Sequence, residues 1–495
     1  MESIFYRDIE QNIMMIQKAL PVGKSFDIIT REIYIGGTKA YFISINGMYN
    51  NEVMQLILSD LQREAVGNDE NKSSDNSFGI EDLQAYLKNR VSFGQVLLTK
   101  SLEEVVKNVV SGPSAIIVDG FREAVVLDLR KYPGRGISEP ENEKVLKGAK
   151  DGFVETMLFN ANMIRRRIRN PRLTFEMMSV GEDSKTDVAL AYIGGIAKNE
   201  LVDTIRTKIA DIKADSLTLG SKSLEELLVK KRLWNPMPSF RVTERPDVAC
   251  SYLFEGYVII IVDNTPSVIV LPGNVFQFSQ SPEDYYRNPI TGNLFRMLRF
   301  ASILISVYLL PVYMLLNAYM PDIMEKINLL SGNAGREPFE SVVRLICYVL
   351  FAEFGLDMLE YSASHIPENL VTPVSIVGGV VIGEMAVNMK WFSEEVLFYA
   401  AITLLTTFVI SNSEFSDALR IFRILLILMT GFFGIWGLVF GTALIILSVV
   451  TTPTIGSKSY IWPLVPLDIQ SLYALIFRKT MSNSQPDTRK GNKTP

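Results

Sequence analysis

ALRIFRILLILMTGFFGIWGLVFGTALIILSVV, residues 418–450, decides the architecture of this 495-residue chain. Its only charges are Arg420 and Arg423. An apolar run of this length does not fit inside an ordinary soluble domain, whereas a bilayer core takes about 20 apolar residues per span. As one straight helix it would reach roughly 50 Å at about 1.5 Å per residue, too far for a single untilted crossing. A hairpin near Gly431–Gly434 would give two short spans, and Gly437 and Gly441 form a GxxxG pair suited to close helix packing.

FASILISVYLLPVYMLLNAY (300–319) reads as a first span with Pro311 as an expected kink. Arg287, Arg296 and Arg299 precede it, so the positive-inside rule puts that end in the cytoplasm. SVVRLICYVLFAEFGLDMLE (341–360) is apolar but carries Arg344, Glu353, Asp357 and Glu360. The three acids recur at four and three residues and share one helical face. Either the segment lies on the membrane surface or its acidic face lines water inside an assembly, because charge within a span is costly. LVTPVSIVGGVVIGEMAV (370–387) is a cleaner span with Gly379 and Gly383 as GxxxG and Glu384 near its end. Residues 395–411 make another. Residues 476–495 carry five Lys/Arg against one Asp, so six spans with both termini inside satisfy the charges. Five segments, one of them interfacial, are the alternative.

Before residue 300 the chain is charged every few residues and reads as α/β. TKAYFISINGMYNNEVM (38–54) and TDVALAYIGGIAKNELV (186–202) align without gaps at Thr38/Thr186, Ile45/Ile193, Gly47/Gly195, Asn51/Asn199 and Glu52/Glu200. KSLEE occurs at 100–104 and at 222–226, and AIIVDG (115–120) echoes VIIIVDN (258–264). Three matches in one order predict a duplication: hairpin, helix, strand (QVLLT, 95–99; SLTLG, 216–220), KSLEE helix, strand, strand. On this reading GNDENKSSDNSFG (67–79) is a mobile linker inserted in the first copy, and LWNPMPSFRVTERPDVACSYLFEG (233–256) is a Pro-rich insertion in the second, with a helix from Glu244. A helix between the copies ends in RRRIR (165–169), either a solvated helix end or a contact for anionic lipid or an acidic subunit.

The expected fold is therefore an α/β soluble N-terminal half of two similar subdomains, followed by an all-α transmembrane bundle of 5–6 membrane segments. The expected parts are residues 1–130 (first subdomain), 131–170 (connecting loop and helix), 171–290 (second subdomain), 291–455 (transmembrane domain) and 456–495 (cytoplasmic segment and polar tail).

Composition narrows function mainly by exclusion. Two cysteines, far apart, predict no disulfide framework and a reducing compartment. MESIFYRDIEQNIMM lacks an apolar h-region, so no signal peptide is expected to export the first 300 residues. One histidine, His365, leaves no histidine-rich metal site. A net charge of −5 gives no nucleic-acid footprint. There is no GxxxxGK[ST], HExxH, CxxC or GxSxG, so neither an enzyme nor a cofactor is expected.

Several strings form a recognisable series: YPGR (132–135), EPENEKVLKGAKDGFVE (139–155), RRRIR (165–169), VGEDSKTDVALAYI (180–193), TERPDVACSYLFEGYVIIIVDNTPSVIVLP (243–272), SPEDYY (281–286), REPF (336–339) and PVSIVGGVVIGEMAV (373–387). Over roughly residues 25–475 the chain resembles the A-subunit type of the GerA family of spore-germination proteins. Within it the chain most resembles the stage V sporulation protein AF branch. It departs from the broader A-subunit pattern at 336–372, where a longer proline-rich start is shortened to REPFES. The resemblance implies the inner spore membrane, with the soluble domain in the spore core. It implies ring-shaped homo-oligomers, pentamers, around an ion-conducting path. It also implies partners: a transporter-like B subunit and a lipoprotein C subunit, or, for the AF branch, a small membrane partner. Nutrient sensing by this chain itself is not implied.

The expected function is an oligomeric channel, or channel subunit, for monovalent cations. Residues 370–387 would face the pore, with Ser375, Gly379, Ile382 and Gly383 narrow and Glu384 forming an acid ring. Glu353, Asp357 and Glu360 would attract cations. The alternative is a non-conducting signalling scaffold that docks a transporter-like partner. A secondary transporter fits least, since no repeat occurs within 300–450.

Overall fold

The computed structural model describes residues 4–35, 37–63, 95–131, 143, 145, 147–230, 234–324, 341–365, 376, 378–380, 388, 393–456 and 459–477. The 67–79 linker, and Ser375, Ile382, Gly383 and Glu384, lie outside these.

Two five-stranded antiparallel sheets build the N-terminal half. The first holds β1 (Ile28–Ile35), β2 (Thr38–Ile45), β3 (Gln95–Thr99), β4 (Ser114–Val118) and β5 (Ala124–Asp128), in the order β1-β2-β4-β5-β3. The second holds β6 (Leu173–Val180), β7 (Thr186–Ile193), β8 (Arg241–Thr243), β9 (Val258–Val262) and β10 (Val268–Leu271), in the order β6-β7-β9-β10-β8. The register repeats too. Ile28 faces Ile45 and Leu173 faces Ile193, while Ala40 faces Val118 and Val188 faces Val262.

Alternation along β2 and β7 explains the layering, because successive side chains point to opposite faces. Tyr41, Ile43 and Ile45 meet α1 (Ile9–Ala19) and α3 (Leu102–Val110), while Ala40 and Phe42 meet α2 (Asn51–Arg63). In the second sheet Ala189, Ala191 and Ile193 meet α4 (Met157–Arg167) and α7 (Pro246–Phe254). Val188, Leu190 and Tyr192 meet α5 (Asn199–Ala210) and α6 (Ser221–Leu228).

The duplication is real at this level, but its parts differ from the sequence reading. Residues 216–220 form no strand. The strand equivalent to β3 is β8, inside the stretch expected to be an insertion, and the helix equivalent to α3 is α7. The second KSLEE, on α6, precedes its third strand whereas the first follows it, so the two KSLEE segments are not equivalent. The helix expected to connect the copies is instead the first helix of the second copy. Asn12 bridges the backbone of Tyr6 through both amide atoms, and Asn160 does the same to Val154. Asp119 Oδ1 accepts from the Ile9 amide, opening α1, and Asp263 Oδ1 from the Met157 amide, opening α4, each at 3.0 Å. These carboxylates satisfy N–H groups that a helix start leaves unpaired.

Among the described residues the C-terminal half is helical: α8 (Pro289–Tyr319), α9 (Val342–His365), α10 (Glu394–Phe408), α11 (Ser413–Val450) and α12 (Ile469–Ile476). Asn288 caps α8, with Pro289 at its first position, and α8 continues through Pro311. Helices α8 and α11 are long and apolar enough to cross a membrane. α11 is interrupted at Gly434, at φ 59° and ψ −135°, a backbone open mainly to glycine. There the chain doubles back. A Cβ on Gly437 would lie 1.8 Å from the Met429 carbonyl oxygen, and one on Gly441 2.5 Å from Leu426. In one straight helix, residues 426 and 441 would stand roughly 22 Å apart along the axis. The glycine pair anticipated for helix packing thus packs the two arms of this hairpin. Tyr319 closes it, its hydroxyl donating to the Gly431 carbonyl at 2.8 Å.

Candidate functional site

Three places combine polar chemistry with an architectural position. The first lies between α9 and α11. Helix α9 does not stand apart from the bundle: Leu345, Ile346, Val349 and Ala352 pack with Leu310 and Met314 of α8, Val396 and Ala400 of α10, and Ile427 of α11. This packing turns its acidic face toward the arginines of α11. Glu353 meets Arg423 at 2.7 Å, both buried, and Arg423 also donates to the Ser306 carbonyl of α8 at 3.0 Å. Asp357 meets Arg420 at 3.3 Å, and Glu360 is hydrogen-bonded to the same guanidinium. Within one chain, then, the three acids expected to attract cations each face an arginine. The spacing of the acids was readable in sequence, but their partners, 60 and 70 residues on, carried no local signal.

Of the helix expected to face a pore, Ile376, Gly379 and Val380 are exposed, and a Cβ on Gly379 would meet nothing within 4 Å. Gly378 packs instead against Leu359 of α9.

The second place is the joint between the soluble half and the bundle. Asn235 donates to the Ser448 carbonyl and the Thr452 hydroxyl, each at 3.0 Å, at the end of α11. Lys222 of α6 pairs with Glu414 at the start of α11. Phe278 stacks on Phe415, with centroids 5.5 Å apart. Residues 281–288, which lead from the second sheet into α8, are held to both halves. The Tyr286 hydroxyl donates to Asp247 of α7 at 2.7 Å, and buried Asp284 receives both terminal nitrogens of Arg299 on α8. Movement of the second sheet is thus tied to α8 and to both ends of the α11 hairpin.

The third place is a cleft of about 540 Å³ between the subdomains, lined by Lys18 and Lys24 on one side and Arg172, Tyr192, Asn199 and Arg206 on the other. Two of these cations pair with Glu176, which meets Lys24 at 3.1 Å and Arg206 at 2.8 Å and accepts from the Tyr192 hydroxyl. Burial alone would raise the Glu176 carboxyl, but hydrogen bonds from Arg206, Tyr192 and Lys24 outweigh it and hold it below its usual value. A lowered folded-state value means stability present above the unfolded value of about 4.3 and lost as pH falls through the folded one. Glu176→Gln is therefore expected to lower the unfolding temperature at pH 7. The deficit should shrink on acidification until variant and wild type converge, which thermal scans across acidic pH will check.

RRRIR follows neither sequence reading at its first residue. Arg165 is wholly buried and pairs with Asp27 of the first subdomain at 2.8 Å. Arg167 pairs with Asp151, while Arg166 and Arg169 are exposed. Among the described residues no group of three His, Cys, Asp or Glu side chains is placed to hold a metal ion.

A family described as Bacillus/Clostridium GerA spore germination protein matches residues 15–489. Stage V sporulation protein AF of Bacillus subtilis is 34% identical over 96% of this chain and 93% of its own length. The uncharacterised membrane protein YfkQ of the same organism is 30% identical over 76% of this chain and 73% of its own length. Spore germination protein B1, also from B. subtilis, is 28% identical over 95% and 94%. Among solved structures, the N-terminal domain of the A subunit of the Bacillus megaterium spore germinant receptor GerK3 covers 55% of this chain and 97% of that domain, at 28% identity and a TM-score of 0.41.

Proposed function

This chain belongs to the GerA family of spore germination proteins, and on that premise we propose that it is an oligomeric ion channel, or a channel subunit, releasing monovalent cations from the spore core during germination. As a family member it is a spore germination membrane protein. In the proposal, residues 291–455 form the membrane domain, the protein resides in the inner spore membrane, and the soluble half faces the core.

The observation that carries the reading is one exposed stretch within the 370–387 segment. Ile376, Gly379 and Val380 are exposed on a bundle whose α9 face is packed and charge-paired. In a ring of subunits such a stretch would line the axis or the next subunit, and Glu384 beyond it would supply one acid per copy. Rings of acids select cations. With Glu353 paired to Arg423, the ring role rests on Glu384 and not on the α9 acids.

Glu384→Ala in proteoliposomes is accordingly expected to reduce cation flux and cation-over-anion selectivity while the oligomer stays intact on size-exclusion chromatography. Unchanged flux and selectivity would sink the acid-ring reading. The second reading, a non-conducting scaffold in a germinant-receptor complex, draws support from the docked interface at Asn235, Lys222 and Phe278, which would transmit a signal without conducting. No conductance from the purified protein, alone or with a transporter-like or small membrane partner, would favour it.

A further inference from the structure

Helix α12 has two apolar sides and only one is covered. Leu475 is buried and Leu472 half-buried on the protein. On the outer side Ile469 is 71% exposed and Tyr473 56%, with Phe477 following at the same helical spacing and Leu464, Val465 and Leu467 exposed just before. So many large apolar side chains in a short stretch are not left to water without a partner.

Its position says what that partner is. The last carbonyls of α12, those of Ala474 and Leu475, accept from Arg296 Nη1 of α8 at 3.1 and 3.0 Å. Arg296 is buried, and its Nε lies 3.5 Å from the buried Asp284 carboxylate. Arg296 stands about 10 Å along α8 from its first residue, which places α12 level with the turns of α8 that lead into the first span. At that level α8 itself exposes Ile290, Leu294, Met297 and Leu298. Tyr473, whose ring is apolar and whose hydroxyl is polar, suits the headgroup boundary. The chain beyond, residues 478–495, carries five Lys/Arg against one Asp, a charge drawn to anionic lipid.

We propose that residues 464–477 form an interfacial membrane anchor. The anchor lies in the plane of the leaflet on the soluble-half side and is clamped by Arg296 to α8 just ahead of the first span. The segment expected from sequence to be purely cytoplasmic becomes part of the membrane domain, whether or not the bundle conducts.

The test uses full-length protein in phosphatidylethanolamine/phosphatidylglycerol vesicles. An environment-sensitive fluorophore is placed on Ile469→Cys, Tyr473→Cys or Phe477→Cys, with Glu103→Cys as an exposed control, all in a Cys347→Ser background. Burial pushes the Cys250 thiol up to about 12, so it does not compete for label. The three anchor positions are expected to emit blue-shifted light and to lose most of it to nitroxide lipid labelled near the headgroup, but little to aqueous iodide. The control should show the reverse. Iodide quenching at the anchor positions would overturn the proposal. So would blue-shifted emission indifferent to nitroxide lipid, with disulfides forming between copies at 473, because the face would then be covered by a second copy. If labelling disrupts folding, Tyr473→Trp in a chain whose four native tryptophans are replaced by phenylalanine reports the same depth with the same quenchers.

Discussion

Arg423→Met is expected to cost about 3–5 kcal/mol of stability, because it leaves Glu353 buried without its counter-ion. Arg423 is 1% exposed and ties three helices at once: Glu353 of α9, the Ser306 carbonyl of α8, and its own α11. Methionine fills much of the same volume, so packing loss is a minor part of the effect. The double variant Arg423→Met/Glu353→Gln removes both charges and should recover more than half of the loss. Arg420→Met is the contrast. Arg420 and its partners Asp357 and Glu360 are partly exposed, and such pairs are worth about 1 kcal/mol or less. Thermal unfolding of the detergent-solubilised protein, followed by circular dichroism, orders the three variants. If Arg423→Met proved no worse than Arg420→Met, the buried pair would not be what holds α9 to the hairpin. Any opening movement of the bundle that separates α9 from α11 must break this pair, so the same number bounds how readily they part.

What sequence reveals about this chain depends on the range over which a signal acts. The hairpin at Gly434 was legible, because a mostly apolar run of 33 residues is too long for one untilted crossing and the glycines mark where it turns. The acidic face of α9 was legible for the same local reason, as a helical spacing. Its neutralisation by Arg420 and Arg423 was not, since an ion pair between helices has no periodicity to read. The duplication shows the opposite hazard. KSLEE, five identical letters, marks non-equivalent places, because amphipathic helix starts draw on a small alphabet. The equivalences that hold the two copies in the same shape are scattered. Phe5 and Phe153, Asn12 and Asn160, and Asp119 and Asp263 each serve one hydrogen-bonding or packing position at a helix start. An alignment of 5–17 with 153–165 would have found the first two of these pairs, along with Met15/Met163 and Ile16/Ile164. The third strand of the second copy is only three residues long, Arg241–Thr243, too short for alternation to announce it.

Arg165→Met should have the second large effect, about 3–5 kcal/mol, on the soluble half. Arg165 and Asp27 have fully buried side chains, and the pair spans the subdomain boundary. Arg165 also donates to the carbonyls of Asn170 and Leu173, at 3.2 and 3.0 Å, and its guanidinium lies 5.2 Å from the Phe175 ring. On the other side Asp27 accepts from the Ser25 hydroxyl at 2.6 Å. Around the pair the two subdomains join backbone to backbone, the Phe26 amide donating to the Phe175 carbonyl at 3.0 Å. Methionine leaves the buried Asp27 carboxylate without its counter-ion and takes one donor from each of the Asn170 and Leu173 carbonyls. The cleft lined by Lys24 and Arg206 lies along the same boundary, so the weld also limits how far that cleft can open. Two measurements separate the roles. Chemical unfolding reads the stability loss. Amide hydrogen exchange at Phe26 and Phe175 reads whether the joint loosens before either subdomain does, since local opening follows local stability. Faster exchange at those two amides, with the strands of each sheet still protected, is the expected pattern. Uniform acceleration throughout would mean that Arg165 supports the second subdomain alone and that the boundary is held by its backbone pairing.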